Sequence, residues 1–341
     1  TYDINSWSEV ADTITSHNFG GYAGSVYQGI VWGGANPNTE DKSEVWSGTT
    51  WTEVAVLNTA RTYSPGGGDS NAAIAAGGSN PGPTSVTEIW DGTSWTEVND
   101  GALGYGASFA GTVNAAVQTG GRNGSAGAEA TTKEWNGTEW STGGSLITAK
   151  SSFAGMLGTQ NAAKHMGGAV NAPYAAIDNV EDYNGTSFAT AASLSVGTRY
   201  TSAAGTQNAG IFTGGQTGAE SATAKTYEWN GVSFNQTADL GTGRCTGDIA
   251  DGSQSSFQVS SGGSYGGSEK KTEQYTTTSV KSTSISTSVF SSSGALTLSF
   301  ATSPTDLARI FKKIYSRSNK GIRSKSRSSV THDLIIFLIA L

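Results

Sequence analysis

Residues 72–98 read AAIAAGGSNPGPTSVTEIWDGTSWTEV, and copies of this unit fill the first 280 residues of the chain. Each copy has an apolar run that ends in Gly-Gly, a short segment that ends in an aromatic residue, a turn, and usually a second aromatic residue. The Gly-Gly pairs lie 43 to 48 residues apart, at Gly33-Gly34, Gly77-Gly78, Gly120-Gly121, Gly167-Gly168, Gly214-Gly215 and Gly262-Gly263. A strand-rich repeat of this length indicates a β-propeller, an all-β fold in which each copy forms one blade.

The second copy predicts the four strands of a blade. Residues 61–68 are mostly small and suit the innermost strand, because strands crowd one another near the axis. Residues 72–76 are almost all apolar, as expected of a strand buried between neighbouring blades. Residues 86–90 alternate with a period of two, which predicts one buried and one solvated face. Asp91-Gly92 then predicts a type I′ hairpin into the fourth strand.

The two ends of the repeat array complement each other. The N-terminal segment matches only the last part of a copy, with Trp7 in the place of the second aromatic residue. The last copy has a good third strand at residues 272–275 and a poor fourth strand. We therefore expect residues 6–10 to supply the fourth strand of the last blade, which closes the ring and leaves no open sheet edge. The prediction is a six-bladed propeller over residues 1–280, and the alternative is seven blades with extra strands from residues 282–300.

Beyond the repeats, the composition of the chain changes. Residues 281–303 are rich in Ser and Thr with scattered β-branched residues, which predicts a β extension. Residues 304–341 predict a basic helix and linker, because Pro304 precedes apolar residues at helical spacing. The apolar end of this tail, at residues 334–341, is too short to span a membrane. The tail either docks to a partner or derives from a different reading frame or an added sequence, and the sequence does not choose between the two.

Charge is distributed unevenly along the chain. The formal net charge is −7, but residues 301–341 contain eight Lys or Arg against two Asp. The first 300 residues therefore carry −13, which argues against nucleic acid as a partner of the propeller. No apolar run approaches the ~20 residues that a membrane-spanning helix needs. The one cysteine, Cys245, cannot form an intrachain disulfide.

The repeats resemble a known family. Gly-Gly after an apolar strand, an aromatic pair about a turn, and Arg shortly before the next first strand are similar to kelch repeats, whose propellers resemble the central domain of galactose oxidase. The segments LNTAR at residues 57–61 and WDGTSWTE at residues 90–97 resemble kelch-like repeats of bacteriophage tail and virion proteins. The resemblance covers about 280 of the 341 residues. Four residues separate the aromatic pair, fewer than in typical kelch repeats, and this sets the chain apart from adaptor-type kelch proteins.

The resemblance implies a non-enzymatic virion protein, a tail fibre or decoration protein, whose loops bind a host-surface glycan or another virion protein. The expected location is the virion or the extracellular space. The alternatives are a secreted carbohydrate-active enzyme of galactose-oxidase-like architecture and a protein-interaction scaffold. Propellers serve all three classes, so the fold does not choose between them.

The residues give little support to catalysis. A copper oxidase of the galactose oxidase kind needs two His, two Tyr and a Cys cross-linked to one Tyr, whereas this chain has His17, His165 and His332 as its three histidines. Cys245 stands where the first strand of a blade has small residues, which favours a buried structural thiol. The sequence contains no nucleophile motif, phosphate loop or metal-spaced cluster. We therefore expect no enzymatic activity, no cofactor and no metal.

A basic residue precedes the first strand in several copies. Blade symmetry would place these residues in a ring at one mouth of the central channel: Arg61, Lys150, Arg199 and Arg244, with His17 roughly in this place in the first copy. Such a ring would suit an anion or an acidic glycan. The favoured alternative is that each basic residue ties its blade to the neighbouring blade.

A glutamate stands two positions before the first aromatic residue of the hairpin in four copies: Glu44, Glu88, Glu181 and Glu273. A calcium site would require several of these carboxylates around one ion. Because they lie on outer strands of different blades, we expect them on solvated strand faces instead.

The segments between the second and third strands differ most between copies: residues 35–42, 79–85, 122–131, 169–179, 216–224 and 264–270. They should emerge on one face of the propeller, and binding sites usually lie on such variable loops. Arg122, Asn171 and Tyr174 are the predicted contact residues on this face.

Overall fold

The computed structural model describes residues 2–35, 37–122, 127–151, 155–170, 175–218, 222–245, 248–249, 254, 256–260 and 270–280. Strands within these residues form six four-stranded sheets, and none of these residues is helical. Each sheet is one blade, which confirms the predicted all-β, six-bladed propeller. The predicted β extension at residues 281–303 and the predicted tail at residues 304–341 lie outside the described residues.

The six blades are numbered in the order in which they occur along the chain. The N-terminal strand β1 (Tyr2–Glu9) belongs to the last blade. Blade 1 contains β2 (Gly21–Gly24), β3 (Gly29–Trp32), β4 (Ser43–Trp46) and β5 (Trp51–Glu53). Blade 2 contains β6 (Gly66–Gly68), β7 (Ala73–Ala76), β8 (Thr87–Trp90) and β9 (Trp95–Glu97). Blade 3 contains β10 (Ser108–Gly111), β11 (Ala116–Thr119), β12 (Thr132–Trp135) and β13 (Trp140–Thr142).

Blade 4 contains β14 (Gly155–Thr159), β15 (Ala162–Met166), β16 (Val180–Tyr183) and β17 (Phe188–Thr190). Blade 5 contains β18 (Ser202–Thr206), β19 (Ala209–Thr213), β20 (Thr226–Trp229) and β21 (Phe234–Gln236). Blade 6 contains β22 (Asp248–Ile249), β23 (Ser256–Ser260) and β24 (Thr272–Val280), and β1 completes it.

The ring is closed by the two ends of the array. Strand β1 pairs antiparallel with β24, and Trp7 lies opposite Tyr275, as the sequence predicts. The innermost strands contact one another in the order β2, β6, β10, β14, β18, β22 and back to β2. This ring has no gap for another blade, so the seven-bladed alternative is wrong. A buried cluster that includes Trp46, Val259 and Ile211 packs across the closure, joining blades 1, 6 and 5.

Aromatic side chains fasten neighbouring blades together. The fourth-strand tryptophan of a blade donates its indole N–H to a hydroxyl at the start of the third strand of the preceding blade. Trp95 Nε1 donates to Ser43 Oγ (3.0 Å), and Trp140 Nε1 donates to Thr87 Oγ1 (2.9 Å). Trp7 Nε1 makes the same bond to Thr226 Oγ1 at the closure (3.2 Å). The aromatic pairs therefore fill the space between blades, as predicted, and also satisfy buried polar groups there.

The hairpin between the third and fourth strands differs from the prediction. Trp90 pairs with Trp95, so the connection is a four-residue loop, and of its residues only Gly92 has a positive φ (+93°). The Asp91 carboxylate accepts hydrogen bonds from the amides of Thr93 and Ser94 (2.8 Å each). Hydrogen bonds from the Thr93 hydroxyl and from these amides hold the pKa of Asp91 at about 2. The type I′ prediction is therefore wrong, because the aspartate side chain organises the turn.

Candidate functional site at the channel mouth

Three of the four predicted ring residues are buried inside the blades. Arg61 pairs with Glu88 (Nη2–Oε1 2.9 Å), and Lys150 pairs with Glu181 (Nζ–Oε1 3.2 Å). Arg244 pairs with Glu273 in the same way. The side chains of these basic residues are at most 2% exposed. A ring of four accessible cations therefore does not form, and that prediction is wrong for Arg61, Lys150 and Arg244.

The glutamates are buried as well, which corrects the expectation of solvated strand faces. Glu44, Glu88 and Glu181 have no exposed surface, and Glu273 is 3% exposed. Each carboxylate receives backbone amides from the loop that enters its blade; for example, the amides of Asn58 and Thr59 donate to Glu88 (2.7 and 3.3 Å). The loop folds over the third strand and brings amides that need acceptors once they are buried. The third strand is therefore covered where its glutamate lies, and Glu88 shares a buried face with Trp90 two residues later.

The basic residue also joins two blades through its backbone. The Gly34 amide of blade 1 donates to the Arg61 carbonyl (2.9 Å), while the Arg61 side chain binds Glu88 of blade 2. A Cβ on Gly33 would lie 2.5 Å from the same carbonyl oxygen, and Gly33 has φ +61°. The Gly-Gly pair therefore permits a close approach between blades that no larger residue allows. Arg61 thus ties its blade to the neighbour, in agreement with the favoured sequence interpretation.

This contact fixes the register of blade 5, where sequence reading is wrong by one residue. The second glycine of blade 4, Gly168, donates its amide to the carbonyl of Thr198, not of Arg199. Thr198 therefore takes the place of Arg61, and the third strand has Tyr227 where blades 1, 2, 4 and 6 have glutamate and blade 3 has Lys133. Both members of the buried pair are thus replaced in blade 5. Arg199 is the residue that follows Thr198, one position after the place that Arg61 holds in blade 2.

Arg199 lies at the channel mouth. Its amide donates to the carbonyl of Gln216, the first residue of the loop between the second and third strands (3.1 Å). Its side-chain Nε donates to Gln216 Oε1 (2.9 Å), and its guanidinium lies 5.5 Å from the centre of the Tyr200 ring. The side chain is partly exposed. The shift by one residue thus moves a cation from the blade interior to the surface.

Arg122 occupies the place of Gln216 in blade 3. Its amide donates to the carbonyl of Tyr105 (2.9 Å), and its guanidinium lies 5.6 Å from the centre of the Tyr105 ring. This residue was predicted as a contact residue, and it lies beside Tyr105 on the predicted loop face, partly exposed. The other two predicted contact residues, Asn171 and Tyr174, lie outside the described residues.

Four aromatic residues meet at this mouth. Phe19 and Tyr63 have ring centres 4.3 Å apart, Tyr63 and Tyr105 are 4.4 Å apart, and Phe19 and Tyr200 are 6.2 Å apart. Each residue stands two or three positions before the innermost strand of its blade, and the four come from blades 1, 2, 3 and 5. Rings from blades 1 and 5 can meet only near the axis. We call Phe19, Tyr63, Tyr105, Tyr200, Arg122 and Arg199 the mouth cluster.

The backbone beneath the aromatic rings is strained. Phe19, Tyr63 and Tyr200 have φ of +60°, +54° and +54°, and no other non-glycine residue of the described parts has a positive φ. Large side chains avoid this region, and holding one there costs about 1–3 kcal/mol. The left-handed residue also ends the loop, so β6 begins at Gly66 instead of at residue 61 as predicted. Strain of this kind persists mainly at ligand-binding and catalytic positions.

Sequence reasoning did not select the aromatic residues of the mouth cluster. Their signal is an aromatic residue placed two or three positions before the innermost strand in several copies. Phe153 of blade 4 has this placement in the sequence and lies outside the described residues. The signal is weak because the rings belong to separate copies and meet only after the ring closes.

The two histidines within the described residues, His17 and His165, sit in buried pairs. His17 Nε2 lies 3.2 Å from Glu44 Oε1, and His165 Nδ1 lies 3.3 Å from Lys150 Nζ. Burial and the nearby Lys150 cation hold the pKa of His165 well below its usual value. Burial lowers the pKa of Lys150 to about 8, although Glu181 acts in the opposite direction. Within the described residues, no three His, Cys, Asp or Glu side chains are grouped as metal ligands would be.

The remaining features of the described residues offer less to a ligand. Cys245 is buried, as predicted for a structural thiol. At the other end of the channel, the turns between the first and second strands of blades 1 to 3 line a depression of about 560 Å³. Its lining includes Asp69, Gln28 and Asn114 but no aromatic residue. The part of the chain that the structure describes contains no helix long and apolar enough to cross a membrane.

Comparison with known proteins supports the fold. No protein-family model and no curated protein matches the chain. The chain is similar to the solved structure of YjhT, with 14% sequence identity and a TM-score of 0.66, over 78% of this chain and 95% of YjhT. In total, 316 chains of solved structures match. A likeness at this identity, to so widespread a fold, describes the architecture and does not identify a function.

Proposed function

We propose that the protein is a non-enzymatic, kelch-like propeller that binds a glycan through its mouth cluster. The observation that carries the proposal is the set of four partly exposed aromatic rings, which converge over the axis from four blades. Three of these rings stand on strained backbone. A glycine at any of these three positions would relieve the backbone strain. Retaining a large aromatic residue there therefore points to a use for its ring.

The chemistry of the mouth cluster suits a sugar. Aromatic rings present flat apolar faces, which match the C–H faces of pyranose rings, and tyrosine adds a hydroxyl for polar contacts. Tyrosine also binds at low entropic cost, since only two side-chain torsions must be fixed. The variable loops emerge around the same mouth, because Arg122 and Gln216 begin two of them. Such loops supply specificity on a rigid scaffold.

The setting that best fits these features is the outside of a virion. The repeat segments resemble those of bacteriophage tail and virion proteins, and adhesion to host glycans is a task for which a tail fibre or decoration protein needs a rigid display of loops. The body of the propeller is acidic and low in charged residues (14% of the chain). We therefore place the protein on the virion or in the extracellular space, where it contacts a host-surface glycan; contact with another virion protein is the alternative for the same face.

A glycan array tests the proposal with the full chain. The double variant Tyr63→Ala/Tyr200→Ala removes two rings of the mouth cluster, and we expect it to lose at least tenfold in affinity for every glycan that the wild type binds. Tyr27→Ala is the matched control, because Tyr27 is 75% exposed and lies in a turn between first and second strands, away from the mouth. The proposal is overturned if the wild type binds no glycan, or if the control and the double variant lose affinity equally.

The absence of catalysis is part of the proposal and has its own test. His17 and His165 sit in buried pairs, and neither offers an open coordination position at the surface. Metal analysis of the purified protein should therefore find no stoichiometric copper. Stoichiometric copper would contradict the proposal and favour a carbohydrate oxidase.

A further inference from the structure

We infer that the glycan bound at the mouth cluster carries an anionic group, a carboxylate or a sulfate, which Arg122 and Arg199 contact. The inference rests on the proposed glycan-binding function and adds the chemical class of the sugar. It depends on three observations: where the two arginines lie, what each of them contacts, and how blade 5 departs from the repeat.

The two arginines flank the chain of aromatic rings. The rings follow one another in the order Tyr105, Tyr63, Phe19, Tyr200. Arg122 lies beside the ring at one end, and Arg199 lies beside the ring at the other end. A sugar stacked on the ring at either end of this aromatic surface therefore lies next to a guanidinium group. Guanidinium groups bind planar oxyanions through two parallel hydrogen bonds, and this geometry is specific as well as strong.

The contacts of Arg199 differ from those of the buried bases. Arg61 and Lys150 each have a glutamate within 3.2 Å, which compensates the charge inside the blade. The Nε of Arg199 instead donates to the neutral amide oxygen of Gln216. That bond orients the guanidinium group at the mouth. An oriented cation at a partly exposed position is what recognition of an anion requires.

Blade 5 departs from the buried pair that blades 2, 4 and 6 contain. The repeat uses an arginine or lysine in the blade and a glutamate on the third strand, and blade 5 has Thr198 and Tyr227 in these two places. Blade 5 still folds into four paired strands without the buried pair. Arg199 instead stands in the loop that enters blade 5, where its side chain contacts Gln216 and Tyr200 at the mouth.

The net charge of the propeller makes this arrangement selective. The first 300 residues carry −13, so an anionic ligand is repelled by most of the surface. Repulsion from charges farther away than about 8 Å is largely screened at physiological salt. Short-range contacts with the two arginines then decide where such a ligand binds. The affinity should accordingly fall as the salt concentration rises.

The test compares three oligosaccharides with the same backbone, one neutral, one carboxylated and one sulfated, in binding titrations with the full chain. We expect the wild type to bind at least one anionic form about tenfold or more tightly than the neutral form, the scale of one or two charge-assisted hydrogen bonds. Arg122→Gln and Arg199→Gln should each reduce this preference, and the double variant should abolish it together with the salt dependence. The matched control is Lys225→Gln, because Lys225 is an exposed cation on the outer part of blade 5.

The outcomes separate this inference from the proposed function. Equal affinity for the neutral and both anionic forms, unchanged in the arginine variants, overturns the inference and leaves glycan binding in place. No binding of any of the three forms, together with a blank glycan array, overturns both. A loss of preference in Lys225→Gln equal to that in Arg199→Gln would show a general charge effect and overturn the role of the mouth arginines. Thermal unfolding of each variant shows that the fold is retained.

Discussion

Arg61 in blade 2 and Arg199 in blade 5 come from the same part of the repeat but lie in different surroundings. Arg61 is buried against Glu88, and its carbonyl holds the Gly-Gly pair of the preceding blade. Arg199 stands one position later, at the mouth, against Gln216 and Tyr200. Two differences distinguish the arginines. Arg199 lies one position later in the repeat, and its blade has Tyr227 in the place of the glutamate. In a repeat protein, therefore, the recurrence of a residue type from copy to copy does not define its role. The contacts of each residue have to be known first.

The comparison predicts its largest effect at the buried pair. Arg61→Met leaves the Glu88 carboxylate buried without its cation, and breaking a buried pair from one side costs about 3–5 kcal/mol. Arg199→Gln should change the free energy of unfolding by less than about 1 kcal/mol, because its side chain is partly exposed. Urea unfolding of the two variants measures both values. Similar losses in the two variants would contradict the distinction between them.

A second variant shows how the loss arises. Arg61→Met/Glu88→Leu removes both charges, and it should recover part of the stability that Arg61→Met loses. Recovery should be incomplete, because the amides of Asn58 and Thr59 lose their acceptor in the double variant. Full recovery would mean that the loop does not depend on the carboxylate.

The close approach between blades gives the next effect. Gly33→Ala places a Cβ 2.5 Å from the Arg61 carbonyl oxygen at φ +61°, and we expect a loss of about 2 kcal/mol or more. Gly82→Ala is the control, because no heavy atom lies within 4 Å of its added Cβ and its φ is not left-handed. Thermal unfolding of both variants measures the difference. An equal response of the two glycines would contradict the assigned role of the Gly-Gly pair.

Strain at the mouth predicts an effect of opposite sign. Tyr63→Gly should be about 1 kcal/mol more stable than Tyr63→Ala, since glycine tolerates the φ of +54° at this position. At Tyr105, which is not left-handed, glycine should instead be slightly less stable than alanine. All four variants lose a ring of the mouth cluster. The same order of stability at both positions would show that the strain at Tyr63 is absent in solution.

Alkaline pH tests the contact between blades 3 and 4. Burial and the hydrogen bond to Glu134 raise the pKa of Tyr183 from 10 to about 12. The folded state therefore holds this proton more tightly than the unfolded state. Its contribution to stability is present below pH 10 and is lost as the pH rises from 10 towards 12. In Tyr183→Phe, the fall of the unfolding midpoint over this range should be shallower than in the wild type, and an unchanged slope would contradict the assignment.

The smallest effect belongs to an exposed ion pair with the same length as the buried one. Lys225 Nζ lies 2.9 Å from Asp239 Oδ2, and both side chains are at least 36% exposed. Solvent screens such a pair, so Lys225→Gln should leave the midpoint of a urea titration almost unchanged. A loss approaching that of Arg61→Met would mean that distance, and not burial, determines the contribution of these pairs.

The fold was predictable from the sequence because the same pattern of apolar and aromatic residues recurs in six copies. Each copy has an apolar second strand and an aromatic pair that need neighbours on both sides, and only a closed ring supplies them to every copy. Trp7 identified the closing strand for the same reason. The hairpin type was not predictable from Asp91-Gly92 alone, because the aspartate side chain binds two amides within the turn.

The site was less predictable, for reasons of geometry. The burial of Glu88 depends on a loop that folds back over its strand, and no local pattern records that fold. Arg199 was misplaced because the loop before it is offset by one residue relative to the other copies. The mouth cluster unites Phe19 and Tyr200, which are far apart in sequence and come together only when the ring closes. Arg122 and Arg199 were selected in advance, Arg122 from the variability of its loop and Arg199 as a member of the predicted basic ring.

The most direct test of the central claim is a binding titration of the Arg199→Gln variant with an anionic oligosaccharide that the wild type binds, with wild type and Lys225→Gln in parallel. We expect Arg199→Gln to bind the anionic oligosaccharide about tenfold or more weakly than the wild type does, while its unfolding midpoint stays that of the wild type. An unchanged affinity in Arg199→Gln, or a weakened affinity that simply follows a loss of folded protein, would contradict the claim that the mouth cluster is the binding site for an anionic glycan.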